Sequence, residues 1–159
     1  MKKGGHYDAS SLIEAQFEPG SRGRVLRNLL GIKSKREMDQ VEAQEQLRTL
    51  EELVRIYDQT HRFTAADVRR IHKIWLGSIY AWSGNYRQVN LSKGDFPFAA
   101  ANQIPRLMIE FEKGPLRAYT PCRFTEMNEI ARTIAVVHTE LLLIHPFREG
   151  NGRVARLLA

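Results

Sequence analysis

Three observations predict an all-α fold for this chain. Apolar residues recur at helical spacing over most of its length, capping residues precede those stretches, and only the segment from Tyr86 to Phe98 breaks the pattern. At 159 residues with 43% hydrophobic content, the chain is long enough for one domain around a single core. No internal repeat, low-complexity tract or long Pro/Gly/Ser linker divides it.

A basic, glycine-containing N-terminus leads to an apolar segment, Val25 to Leu30, read as a short helix or turn closed by Gly31. Ser34 and Glu37 have the spacing of a capping box. They open a long helix whose apolar positions are Met38, Val41, Leu47, Leu50, Val54 and Tyr57. Thr64 to Asp67 caps a second helix with an inward stripe of Val68, Ile71, Trp75 and Ile79, ending before Ser83-Gly84. Val89 and Leu91, then the turn residues Ser92-Lys93-Gly94-Asp95 and Phe96-Pro97-Phe98, read as a small exposed hairpin. Asn102 caps a third helix that tolerates Pro105 in its first turn, points Ile104, Leu107, Met108 and Phe111 inward, and stops at Gly114-Pro115. The most apolar helix runs from about Glu126 to Ile144, opened by Thr125, and carries Ile130, Ile134, Val137, Leu141 and Ile144. Ala131, Ala135, Val136, Leu142 and Leu143 widen its apolar face, so it is expected to be a central helix surrounded by the others.

Composition excludes some functions. No apolar run reaches the roughly 20 residues that span a bilayer, and the opening MKKGGHYDAS lacks the apolar stretch of a signal peptide. The single cysteine, Cys122, can form no internal disulfide, so a soluble, cytoplasmic protein without membrane partners is expected. Lys+Arg 24 against Asp+Glu 18 gives a net charge of +6, but the bases are spread along the chain with no block of like charge.

The charge is local and ordered only near the end, in HPFREGNGRVARLL, His145 to Leu158. Pro146 disfavours helical geometry at the residue before it, which ends the apolar helix at His145. A loop follows, and Asn151-Gly152 can cap a new helix starting near Arg153. Gly150 and Gly152 permit unusual backbone angles and close approach of a ligand, while the free N–H groups of the new helix favour an anion. Arg153 and Arg156 share one helical face and can hold further phosphate oxygens, which implies a di- or triphosphate. Glu149 would repel a bare phosphate but suits an oxygen ligand to Mg²⁺ bridging phosphates. His145, with an ordinary pKa near 6.5, suits a general base.

His145, Phe147, Glu149, Gly150, Asn151, Gly152, Arg153 and Arg156 together match the signature His-x-Phe-x-[Asp/Glu]-Gly-Asn-Gly-Arg-x-x-Arg. In these positions the chain resembles the Fic domain family, and more loosely so from about Leu50 onward. The resemblance implies a Fic fold: a helical array around a central helix, with a small β-hairpin flap. It places the Fic domain at residues 34–159 and an N-terminal extension at residues 1–33. Because Fic domains continue beyond this motif, it also implies that C-terminal helices are missing after Ala159. The activity implied is transfer of AMP from ATP to a Tyr, Ser or Thr hydroxyl of a target protein, with pyrophosphate released. In that scheme His145 is the base, Phe147 anchors the loop in the core and Glu149 holds Mg²⁺. Gly150, Asn151 (side chain included), Gly152, Arg153 and Arg156 bind phosphates. Lys93 and Gly94 would lie above the nucleotide, and Leu91, Ser92 and Phe96 would dock an extended target segment.

Two other readings stand beside this one: transfer of a different phosphate-containing group, and nucleic-acid binding by the basic C-terminus. The second lacks aromatic interleaving and a groove-reading helix, so no nucleic acid is expected. The resemblance also implies inhibition by a glutamate paired with Arg156. Within the chain the candidate is Glu14, in Ser10 to Ala15, but Ala15 departs from the inhibitory pattern and Pro19-Gly20 follows closely. The glutamate is therefore expected from outside these 159 residues, from the enzyme's own terminal helix or, the favoured source, from a small antitoxin-like partner, as in a toxin–antitoxin pair. Among the other histidines, His138 is read as a packing residue, and His6, His61 and His72 show no metal-ligand spacing.

Overall fold

The computed structural model describes residues 9–159, so His6 and the first basic residues lie outside the described residues. Ser34 starts α1 (Lys35–Ile56) by accepting the Glu37 amide on its hydroxyl at 3.4 Å. Thr64 starts α2 (Ala65–Leu76) with a full capping box, in which Asp67 and Thr64 accept each other's backbone N–H. These two helices pack together, and α2 buries Val68, Ile71, Trp75 and the following Ile79, the stripe expected from spacing.

The stripe read for α1 is corrected in part: Met38 is buried and Val41 and Tyr57 pack against the core, but the middle of the stripe faces out. Leu47, Leu50 and Val54 are 66%, 48% and 71% exposed, and the buried positions are Met38, Glu42, Thr49 and Leu53. At about 100° per residue the two sets occupy opposite sides of the helix. Hydrophobic spacing misses the true face because two of its members are polar. The Thr49 hydroxyl donates to the Glu45 carbonyl at 2.7 Å, and Glu42 is paired across the core.

Short 3₁₀ turns (Ala9–Ser11 and Ile13–Ala15) precede α1, and of the two forms expected for residues 25–30 the structure takes the turn. Phe17 bridges Leu26 in antiparallel fashion, and Asn28 organises the turn at Gly31 by accepting the Leu30 and Ile32 amides. Asn28 also donates to the Leu26 and Ile32 carbonyls. Val25, Leu26 and Ile32 thereby reach the core. The expected hairpin is present: β1 (Ser92–Lys93) pairs antiparallel with β2 (Phe96–Pro97), Lys93 opposite Phe96, around a Gly94-Asp95 turn.

A short 3₁₀ turn, Ala101–Gln103, precedes α3 (Ile104–Phe111), which buries Ile104, Met108 and Phe111 with Leu107 at their edge. Gly114-Pro115 does not stop the chain. A widened π-type turn (Glu112–Leu116) carries it into α4 (Arg117–Tyr119), because the extra residue per turn accommodates Pro115 while Leu116 is fully buried.

The last helices are α5 (Met127–Ile144) and α6 (Asn151–Leu158). α5 packs on α3 and α6, but it is not enclosed as expected. Thr133, Val137, Leu141 and Ile144 are buried, whereas Met127, Ile134 and Leu143 are exposed, since the other elements cover one side of the helix only. Among the described residues no helix is long and apolar enough to cross a membrane.

The burial pattern predicts a contrast in stability. Met108→Ala, at a site with no exposure, should cost roughly 2–5 kcal/mol. Leu47→Ala should stay within about 0.5 kcal/mol. Urea unfolding of both variants checks this, and equal losses would put Leu47 back in the core.

Candidate active site

The loop between α5 and α6 is shaped by its own side chains. Asn151 is buried, its amide donating to the Phe147 carbonyl at 2.8 Å and its oxygen accepting the Phe147 N–H at 2.8 Å. Phe147 is fully buried, stacked on the His72 ring at 3.9 Å. Two expectations change accordingly. The Asn151 side chain is spent on the loop rather than facing phosphates, and α6 begins at Asn151 with Gly150 as its cap.

Gly150 takes φ +84, and a Cβ there would come within 2.5 Å of Trp75 Cζ3. Gly152 differs: it is helical without positive φ, and nothing of the protein lies within 4 Å of where its Cβ would project. Its missing side chain therefore matters only to something approaching from outside. The result is a cleft of about 230 Å³ lined by His145 and by residues 148–153 and Arg156. Arg148, which the sequence did not single out, joins this wall, its Nε donating to the Glu14 carbonyl.

His145 closes α5 in the left-handed region, φ 52 and ψ 59. Its ring stacks on Phe98 at 3.7 Å and 11°, so the hairpin packs directly on this histidine. Nδ1 lies 3.3 Å from the Leu142 carbonyl, which can only accept, so Nδ1 carries the proton and Nε2 the lone pair. Burial, reinforced by the charges of Arg87 and Lys93 and partly offset by the Leu142 contact, holds the pKa below its ordinary 6.5. His145 is thus a neutral base at pH 7.

Glu149 is half-exposed, with one carboxylate oxygen on the Gly150 N–H at 3.0 Å and 3.5 Å from Arg153. Arg153 has a second, buried acid partner that the sequence did not reveal. Its guanidinium donates to Glu42 Oε2 at 2.6 Å and lies 4.5 Å over the Trp75 ring. Glu42 also accepts the Tyr80 hydroxyl at 2.8 Å, and its backbone carbonyl accepts Trp75 Nε1. Arg156 is exposed at the cleft. Glu14 is committed elsewhere, its carboxylate accepting the Gln88 amide at 2.7 Å. Lys93 and Gly94 sit at the exposed tip of the hairpin, Ser92 and Phe96 beside them, while the Leu91 carbonyl accepts the Phe98 amide.

His72 is the least legible member of the site. It is fully buried, accepts the Gly84 N–H on Nδ1 at 2.7 Å and donates from Nε2 to the Glu149 carbonyl at 3.0 Å. Burial lowers its pKa to about 4, more than the Glu149 contact restores. Its place beside Ile71, on the inward stripe of α2, is the one signal that could have flagged it. His138 is half-buried, and His61 pairs with Asp67 at 2.8 Å. Among the described residues no three His, Cys, Asp or Glu side chains gather to hold a metal by themselves.

Comparison with known proteins shows the family to which the chain belongs. The Fic/DOC family model matches residues 62–159, and the chain belongs to that family. It is 33% identical over 132 residues to the protein adenylyltransferase VbhT of Bartonella schoenbuchensis, covering 83% of this chain and 27% of that protein. It is 30% identical over 107 residues to the protein adenylyltransferase Fic of Nematostella vectensis, covering 65% of this chain and 23% of that protein. The chain thus spans about a quarter of the length of these relatives. The fold matches the N-terminal Fic domain of a Bartonella effector from strain AR 15-3, at TM-score 0.73 and 20% identity over 99% of this chain and 73% of that one. It also matches the N-terminal Fic domain of a VirB-translocated Bep effector from Bartonella quintana, solved with ADP, at TM-score 0.66 and 28% identity over 84% and 70% of the chains.

Two outcomes follow for stability. Gly150→Ala should cost at least roughly 1–3 kcal/mol from its left-handed angle, with the clash against Trp75 adding to it, while Gly152→Ala should be neutral or stabilising by up to about 1 kcal/mol. Chemical denaturation separates them, and equal behaviour would mean that neither the left-handed angle nor the Trp75 contact constrains the loop. His72, neutral when folded, has a folded pKa depressed below its unfolded value of about 6.5. Its contribution is therefore full above pH 6.5 and is lost as pH falls from there toward about 4. A melting temperature that stays flat from pH 7 to 4.5 in wild type would contradict its burial as a neutral ring.

Proposed function

We propose that this chain is the catalytic domain of a protein adenylyltransferase that moves AMP from Mg²⁺-ATP onto a hydroxyl side chain of a target protein. The observation that carries the reading is His145. It is pinned at a helix end, neutral, and lines the same cleft as the α6 N-terminus, Glu149 and Arg156. That combination supplies a base, an anion site and a carboxylate within one loop. Relatives named protein adenylyltransferase support the choice of AMP over another group.

His145 Nε2 takes the proton of the target hydroxyl as its oxygen bonds to the α-phosphorus. The bond from that phosphorus to the oxygen bridging the β-phosphate breaks, and pyrophosphate leaves. Backbone N–H groups at the start of α6 face the phosphates, and Arg156 can grip their outer oxygens as a fork. Arg153, held by Glu42, contributes charge from a fixed position. Glu149 suits Mg²⁺, because one accessible carboxylate plus substrate phosphates is how this ion is commonly held. When bound, the ion would neutralise charge on the phosphates. Rate would come mainly from positioning and charge stabilisation.

The hairpin is read as the flap that registers an extended target segment beside His145, with Lys93 and Gly94 above the nucleotide. Arg156 is read as the anchor of an inhibitory glutamate. Because the Glu14 carboxylate is engaged by Gln88, that glutamate is assigned to a small antitoxin-like partner.

Incubation with ATP and Mg²⁺ followed by mass spectrometry tests the reaction: AMP added to protein supports it, and phosphate alone overturns it. His145→Ala should abolish transfer while nucleotide affinity stays within about threefold, since the base acts on the target hydroxyl. Glu149→Ala should raise the Mg²⁺ concentration needed for half-maximal rate. The acidic limb of the wild-type rate should lie below pH 6.5, because His145 must be unprotonated and its pKa is lowered. A limb above pH 7 would remove His145 as the base.

A further inference from the structure

Arg87 is 2% exposed, yet among the described residues its guanidinium forms no direct ion pair, and the buried Glu14 carboxylate acts on it only through space. All of its side-chain contacts are main-chain carbonyls. Nε donates to His145 at 2.7 Å, one terminal nitrogen to Val89 at 2.7 Å, and the other to Ala99 at 2.6 Å and Ile144 at 3.4 Å. Its backbone N–H adds the Pro146 carbonyl at 2.9 Å.

These acceptors belong to two structures. Ile144 and His145 are the open end of α5, whose carbonyls lack helical partners and favour a cation. Val89 and Ala99 are the two roots of the hairpin, which the Leu91 to Phe98 hydrogen bond closes above them. The hairpin in turn stacks Phe98 on the His145 ring. One side chain therefore joins both roots of the flap to the backbone of the proposed general base. Only a planar fork with five donors reaches acceptors on three segments at once, and a lysine cannot reproduce it. Capping a helix end does not by itself require burying a whole guanidinium, which costs desolvation.

We propose that Arg87 is a positioning residue that holds the hairpin and His145 in one frame. A target segment paired with the hairpin thereby presents its hydroxyl at a set place relative to Nε2. This rests on the adenylyltransferase reading for its consequence, but the frame itself can be measured without turnover.

The test compares wild type with Arg87→Lys, which keeps the charge, and Arg87→Met, which keeps the stem. Circular dichroism establishes folding. NMR of the His145 ring reports the frame, because a phenyl ring stacked at 3.7 Å shields its protons. Labelled ATP reports transfer to the chain itself or to proteins of a host lysate. The expected result for Arg87→Lys is a folded chain with ATP affinity within about threefold of wild type. Its His145 ring protons should lose their upfield shift, and kcat should fall roughly 100-fold with the ATP KM nearly unchanged. Arg87→Met should behave alike or unfold. If Arg87→Lys keeps both the ring shift and the rate, the proposal is overturned. It is also overturned if rate and ATP affinity fall together in proportion to lost folded protein. If wild type transfers no AMP, the adenylyltransferase reading fails, and the ring shift alone decides whether Arg87 holds the frame.

Discussion

Two hydrogen bonds between the Asn151 amide and the backbone of Phe147 set the shape of the loop on which the rest of the site hangs. Each contributes a net of only about 0.5–1.5 kcal/mol, but both are buried, so leaving either group unpaired costs more. The ring they close turns Phe147 into the core and forces Gly150 through a left-handed angle against Trp75. α6 then starts at Asn151, with its first N–H groups at the cleft. A larger residue at Gly150 or a loop of another length would break this closure.

Around that loop the protein places supports that are themselves buried. His72 holds the Glu149 backbone from below, Glu42 holds the Arg153 guanidinium from the side, and Arg87 holds the His145 carbonyl from the hairpin. Three titratable or charged side chains inside a small domain represent a desolvation cost that apolar residues would avoid. The return is order at the cleft. His145 and Glu149 lie at opposite ends of a flexible-looking sequence, yet each is tied through a rigid helix-borne or core side chain.

The same buried groups tune the chemistry. Arg87 and Lys93 place positive charge near His145, which with burial keeps the ring neutral while its Nδ1 is fixed by Leu142. Burial and the neighbouring charge of Glu42 keep the Tyr80 phenol protonated, so it remains a donor to that carboxylate. Arg156 differs from Arg153 in being exposed, with no buried acid among the described residues to hold it in one place.

Sequence by itself determined the helical class, the starts of α1 and α2 at Ser34 and Thr64, the inward stripe of α2, the hairpin, and the loop from His145 to Arg156. These are local properties, carried by capping chemistry, by 3.6-residue spacing and by the angles that Gly and Pro allow. Tertiary structure alone decided which face of α1 is buried, because Glu42 and Thr49 are polar and their burial depends on Arg153, Tyr80 and a backbone carbonyl. It also decided that the chain passes Pro115 without stopping, since Leu116 must reach the core. His72 and Arg87 were hard to read for a related reason: the contacts that tie them to the loop are main-chain carbonyls of Glu149, Ile144 and His145, far away in sequence. Every residue carries such a carbonyl, so no pattern of residue types can announce which one a buried side chain will meet.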